Sequence, residues 1–255
     1  MPSAVIEGGR GPTAPVATLF ITGDSHVGAL RKGHDLLAGA GRLPASPAVV
    51  FRPMGTSTLM RKEFFVDRSD HLEITVPRFR EQVTVLPAPE FATGETVYCI
   101  AGPLNFHSLL SRKWWVHNWA TGMPPRRGAP VTRGLLRHSL LAMEFHELAM
   151  VRRLRELGQR VRVIEAPAPF RHHPALAHTP AASLMALLRA CREILAEELE
   201  RMGIEIVAVP AECLDEEGFM RSGLRHARPD DGNHGNEEFG AIMLRQCIDA
   251  THNSR

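Results

Sequence analysis

The chain has 255 residues, 44% of them hydrophobic and 23% charged, and 30 Lys and Arg against 28 Asp and Glu leave a formal charge of only +2. Such a composition belongs to a globular chain with a substantial core and excludes both disorder and a disulfide-dense miniprotein. Near-neutrality excludes strong electrostatic recruitment to nucleic acid or an acidic membrane, and runs such as 16–22 and 97–101 are far shorter than the roughly 20 residues of a membrane helix.

Residues 1–14 are rich in Gly and Pro and lack periodicity, which predicts a flexible tail. They show no basic segment followed by a long apolar one, so a cytoplasmic location is expected. The fold begins with Ala17-Thr18-Leu19-Phe20-Ile21-Thr22, a β-rich run stopped by Gly23, and a helical pattern then carries Val27, Leu30, Leu36 and Leu37. The same alternation recurs at Ala48-Val49-Val50-Phe51, Val97-Tyr98-Cys99-Ile100-Ala101, Val161-Arg162-Val163-Ile164 and Ile204 to Val209. Between the first and last of these, 72–76 and 82–86 read as an inserted hairpin. Helices are predicted over 135–157, stopped by Gly158, over 181–202, stopped by Gly203, and over 237–250. Strands alternating with helices predict a three-layer α/β/α fold around a mostly parallel, flavodoxin-like sheet of five strands. One domain over 15–255 is expected, with an insertion around 106–134.

Chemistry on such a sheet belongs just past the carboxyl ends of its strands. There the first strand delivers Gly23-Asp24-Ser25-His26, a serine on a turn whose own N–H faces the start of a helix. Just before the last helix stands Asp231-Gly232-Asn233-His234. A carboxylate three residues ahead of an imidazole can bind its Nδ1–H and leave Nε2 free to take a proton from serine.

Gly23-Asp24-Ser25 and Asp231-x-x-His234 resemble the first and last motif blocks of the SGNH, or GDSL-type, hydrolases, and the resemblance spans residues 19–244. Gly-Asp-Ser-His is similar to the form found in esterase-type domains associated with acylation of bacterial polysaccharides. The resemblance implies a serine esterase with Ser25 as nucleophile, His234 as base and Asp231 as its orienting acid. It also implies an oxyanion hole built from the N–H groups of Ser25 and Gly55 and the side chain of Asn105. The asparagine block departs from the family's Gly-x-Asn-Asp: two residues separate Gly102 from Asn105, and Phe106 stands where the Asp would be. Asn118 is the reserve donor. The expected substrate is a small-molecule or carbohydrate ester, an O-acetylated sugar first of all. Acyl transfer to a sugar hydroxyl, or a silent binding protein that keeps the fold, are the alternatives.

Other features carry less. Trp114, Trp115 and Trp119, all the tryptophans of the chain, follow the third strand and would either stack on substrate or anchor the insertion. His172, His173 and His178 lack a carboxylate at ligand spacing, so no metal and no cofactor is expected. Glu144, His146 and Glu147 lie within a predicted helix and read as solvated or inter-helical. Arg126, Arg127, Arg133 and Arg137 read as a solvated basic cluster, Gly8-Gly9-x-Gly11 precedes a strand where a dinucleotide loop would follow one, and Cys99, Cys191, Cys213 and Cys247, with no C-x-x-C spacing, read as reduced, buried thiols.

Overall fold

The computed structural model describes residues 18–112, 115 and 130–253. Its main sheet contains β1 (Thr18–Gly23), β2 (Ala48–Pro53), β6 (Thr96–Ala101), β7 (Arg160–Ile164) and β8 (Glu205–Val207), all parallel, in the order β2-β1-β6-β7-β8. Counted within the sheet this is 2-1-3-4-5, the flavodoxin-like order. β1 and β6 are central and almost wholly buried, which is why they read as unbroken apolar runs. The chain reverses direction across the sheet between them, and Gly23 is in register with Ala101, so the loops leaving β1 and β6 flank one crevice.

Between β2 and β6 the chain inserts a small antiparallel sheet of β3 (Phe65–Asp67), β4 (Leu72–Ile74) and β5 (Val85–Leu86). The expected hairpin is the β4–β5 pair, and β3 adds a strand too short to show in the sequence. Phe64, Leu72, Ile74, Phe79 and Leu86 bury this unit's apolar face completely.

The short helices α2 (Ser57–Met60), α3 (Pro77–Arg80) and α4 (His107–Leu110) follow β2, β4 and β6. The helix expected over 135–157 is in fact two, α5 (Arg133–Met143) and α6 (Phe145–Glu156), joined at Glu144, whose ψ of 13° breaks the spiral. α7 (Ala181–Arg201) lies beside α5, and Arg133 and Arg137 bond Glu193, Glu197 and Glu198 across the contact. Those two arginines therefore form an inter-helix ionic ladder; Arg126 and Arg127 fall outside the described residues. Among the described residues no helix is long and apolar enough to cross a membrane.

The first helix, α1 (Val27–Gly39), and the last, α8 (Glu237–Asn253), touch backbone to backbone. A Cβ on Gly240 would stand 1.8 Å from the Ala29 carbonyl oxygen, and one on Gly33 would stand 2.1 Å from the Ala241 nitrogen. Only hydrogen fits at either position. Both helices begin at the carboxyl edge of the sheet, so this contact brings the turn before α1 and the loop before α8 together.

Candidate active site

The turn before α1 is tight because Gly23, at φ +127°, lies against β6: a side chain there would meet the Ala101 carbonyl oxygen at 1.8 Å. Asp24 donates its N–H to that carbonyl, and Ser25 then projects into solvent while Asp24 and His26 turn inward. Among the described residues no bond from the Ser25 N–H is found, and Ser25 stands just ahead of the amino end of α1, where the helix dipole favours negative charge.

Although 209 positions separate them, Ser25 Oγ lies 2.9 Å from His234 Nε2. His234 Nδ1 lies 2.9 and 3.0 Å from the two oxygens of Asp231. Its Nδ1–H donates to the carboxylate, and its Nε2 lone pair accepts from the serine hydroxyl. Asp231 is locked in place as well: its oxygens accept the N–H groups of Asn233 and His234 at 3.1 and 3.0 Å and the Arg228 guanidinium at 2.7 Å. Burial alone would raise the Asp231 pKa, but the bonds from Arg228 and His234 outweigh it and hold the carboxyl well below its usual range. His234 is pushed below the ordinary imidazole value, by burial first and by His26 next, against the pull of Asp231.

The oxyanion candidates are arranged differently from one another. Asn105 leaves β6 beside Ser25 but directs Nδ2 to Asp24 Oδ2, 2.7 Å away, while its Oδ1 accepts the His107 N–H at 3.3 Å. Nδ2 is thus turned inward, where it also lies 3.5 Å from His26 Nδ1. The Gly55 N–H makes a long contact of 3.4 Å to the Gly23 carbonyl, and the glycine is pressed on Phe79, whose ring a Cβ would meet at 2.4 Å. Trp115 is half-buried against the hydrophobic core, whereas Trp114, Trp119 and Asn118 lie outside the described residues.

Behind Ser25 the structure assembles polar groups to which the sequence assigned no part in the site. Asp24, fully buried, accepts the His26 N–H at 3.0 Å and lies 3.0 and 3.1 Å from His26 Nδ1. Burial would raise the Asp24 carboxyl, but the charge and hydrogen bonds of His26 and the amide of Asn105 hold it far below its usual range. Arg61 binds Glu144 at 2.8 Å and the Asn105 carbonyl at 2.8 Å. Glu147 presses on Gly102, which has φ +148° and where a Cβ would meet Oε2 at 2.6 Å. Neither glutamate is solvated. Burial pushes both carboxyls up, Glu147 further than Glu144, which Arg61 opposes. The signal for this pair was present, since Leu140, Glu144, Glu147 and Val151 continue one buried helical stripe.

The loop after β7 also takes part: His172 Nε2 lies 3.1 Å from the Asp231 carbonyl oxygen, and Gly232 packs on His173 and Pro174 so closely that a Cβ would come within 3.2 Å of each. These histidines brace the loop that carries Asp231 and His234.

No protein-family model matches the chain, and no curated protein matches it in sequence. In fold it is similar to solved structures that include the periplasmic domain of a lipopolysaccharide acetyltransferase from Salmonella ser. Paratyphi A (14% identity, 95% of this chain and 85% of that one, TM-score 0.49). Others are a GDSL-like lipase from Bacteroides thetaiotaomicron VPI-5482 (12%, 94% and 89%, TM-score 0.46) and the psychrotrophic esterase EstA from Pseudoalteromonas sp. (12%, 92% and 97%, TM-score 0.44). At such identities the likeness is one of fold, and what each of those proteins acts on stays with that protein.

Proposed function

We propose that the chain is a serine ester hydrolase of the SGNH type. The observation that carries this reading is the 2.9 Å contact between an exposed serine hydroxyl and an imidazole whose other nitrogen is held by a buried aspartate. In the reaction Ser25 Oγ attacks the ester carbonyl as its proton passes to His234 Nε2, and Asp231 holds the ring and stabilises the imidazolium. The tetrahedral oxyanion forms beside the Ser25 N–H at the amino end of α1, with Asn105 as a further donor once its amide turns from Asp24 and Gly55 as a third once its long bond to Gly23 gives way. His234 then returns the proton to the leaving alcohol oxygen, and water, deprotonated by the same ring, releases the acyl group from Ser25. An O-acetyl group on a sugar is the substrate we propose, on the resemblance of Gly23-Asp24-Ser25-His26 to polysaccharide-associated domains.

A fluorophosphonate probe together with p-nitrophenyl acetate tests the reading. Ser25 should be the labelled serine, labelling and acetate release should vanish in Ser25→Ala, and activity should rise with pH through a His234 midpoint that burial and His26 push below the ordinary imidazole value. Folded wild-type protein that neither labels nor turns over would make this a binding protein. Acetate moved onto an added sugar faster than onto water would make it a transferase.

A further inference from the structure

Four imidazoles stand in a row behind the nucleophile. His234 stacks on His26 with ring centres 4.8 Å apart and planes inclined by 26°, His26 on His107 at 6.0 Å and 14°, and His107 on His173 at 5.6 Å and 26°. Faces meet, and among the described residues no ring nitrogen of one is hydrogen-bonded to a ring nitrogen of the next. The row is therefore no proton wire; its members influence one another through charge.

Where a charge can reside follows from the partners of each ring. His173 Nδ1 accepts the Ala175 N–H at 3.2 Å and so carries no proton, and its Nε2 is buried without a partner. Both ring nitrogens of His107 are buried without a hydrogen bond. These two rings are neutral. His26 differs, because its Nδ1 lies against both oxygens of the wholly buried Asp24. The other groups bonded to Asp24 are amides, which fill its lone pairs without neutralising it, and Arg61 spends its contacts on Glu144 and the Asn105 carbonyl. A carboxylate shut off from water is costly unless a cation meets it, and His26 is the group in bonding contact that can become one.

We propose that His26 is a positioning residue that carries a resident positive charge, held by Asp24, and that its stack on His234 keeps the base free of a proton until Ser25 supplies one. Every element around His26 bears on this. Asp24 from its own turn and Asp231 from the loop before α8 favour the charge, while the ring's Nε2 is buried without a hydrogen-bond partner. His107 and His173 stay neutral, and Glu144 and Glu147, behind Asn105, are held toward their neutral forms while Arg61 opposes from the same side. The balance at His26 runs the same way as the geometry: burial disfavours its charge, Asp24 outweighs burial, and the ring ends above the ordinary imidazole value. The proton that His234 gains from Ser25 is then held loosely and given up readily to the leaving oxygen.

The inference rests on the reading of Ser25 and His234 as nucleophile and base, so its test uses a readout that needs no turnover. In whole protein with ¹⁵N-labelled histidines, NMR at pH 7 should show both nitrogens of His26 protonated and His107 and His173 neutral. His26→Asn keeps an N–H donor for Asp24 and removes the charge, so the His234 midpoint should rise by about one pH unit. The acid limb of kcat/KM for p-nitrophenyl acetate should move with it. Asp24→Asn keeps the ring and removes its counter-ion, and should raise the midpoint by less; beside a ring that matters only for packing, loss of the Asp24 charge would lower the midpoint. A neutral His26 in wild type, or a His234 midpoint unmoved or lowered in both variants, overturns the proposal. Should the variants fail to fold, the wild-type spectrum alone decides. The expected titrations in a protein that neither labels nor turns over would uphold the charge on His26 and overturn the hydrolase reading.

Discussion

The Asp231–His234 pair and the Asp24–His26 pair are made of the same two side chains at nearly the same separation, 2.9 and 3.0 Å between Nδ1 and Oδ1, yet their surroundings differ. The His234 side chain is 28% exposed and its Nε2 meets a serine hydroxyl; that of His26 is 6% exposed and its Nε2 has no hydrogen-bond partner. Asp231 has an exposed arginine among its donors, whereas Asp24 is bonded to His26 and an asparagine amide in the interior. Access to solvent and substrate, more than the pair itself, decides which imidazole can exchange a proton and which holds a fixed one.

The contrast can be broken at either pair. The largest effect belongs to the open one: Asp231→Asn should lower kcat for p-nitrophenyl acetate by about 10⁴-fold, because an amide favours the wrong tautomer of His234. A variant that kept a tenth of the activity would make Asp231 a loop anchor only. The closed pair should speak through stability. Asp24→Ala leaves His26 buried beside no counter-charge, and urea unfolding should show a loss of about 3–5 kcal/mol; a loss under 1 kcal/mol would mean that His26 is neutral. The smallest effect is expected at Arg228, whose side chain is 67% exposed. Its removal leaves Asp231 the donors from Asn233 and His234, so Arg228→Ala should change kcat by less than about fivefold.

Much of this frame was legible because each main strand is an apolar run closed by Gly or Pro, and because Ser25 follows such a boundary, where parallel sheets place their chemistry, while Asp231 and His234 stand just before the last helix. The break at Glu144 was not, since Leu136, Leu140, Glu144 and Val151 keep helical spacing straight through it; only the backbone angles of Glu144 show that the spiral stops. Asn105 was found as a residue but not as a partner of Asp24, because its spacing from Gly102 departs from the usual one. The imidazole row lay beyond reach for a different reason. Its members come from four segments separated in the chain; His26 was marked only as the last residue of Gly-Asp-Ser-His, and nothing local marks His107 as more than a histidine near a strand end.

The contact of Gly33 and Gly240 has a consequence for how mutations distribute their damage. Gly33 lies eight residues past Ser25, about 12 Å along the helix, yet a methyl group on either glycine must push α1 and α8 apart. The serine rides on one helix and the histidine just ahead of the other, and a displacement of about 1 Å at reacting atoms can cost about 10²-fold in rate. The two glycines thus act as a caliper set far from the proposed reaction, and a harmless-looking alanine in a helix would read, in an activity screen, like a lesion of the proposed nucleophile.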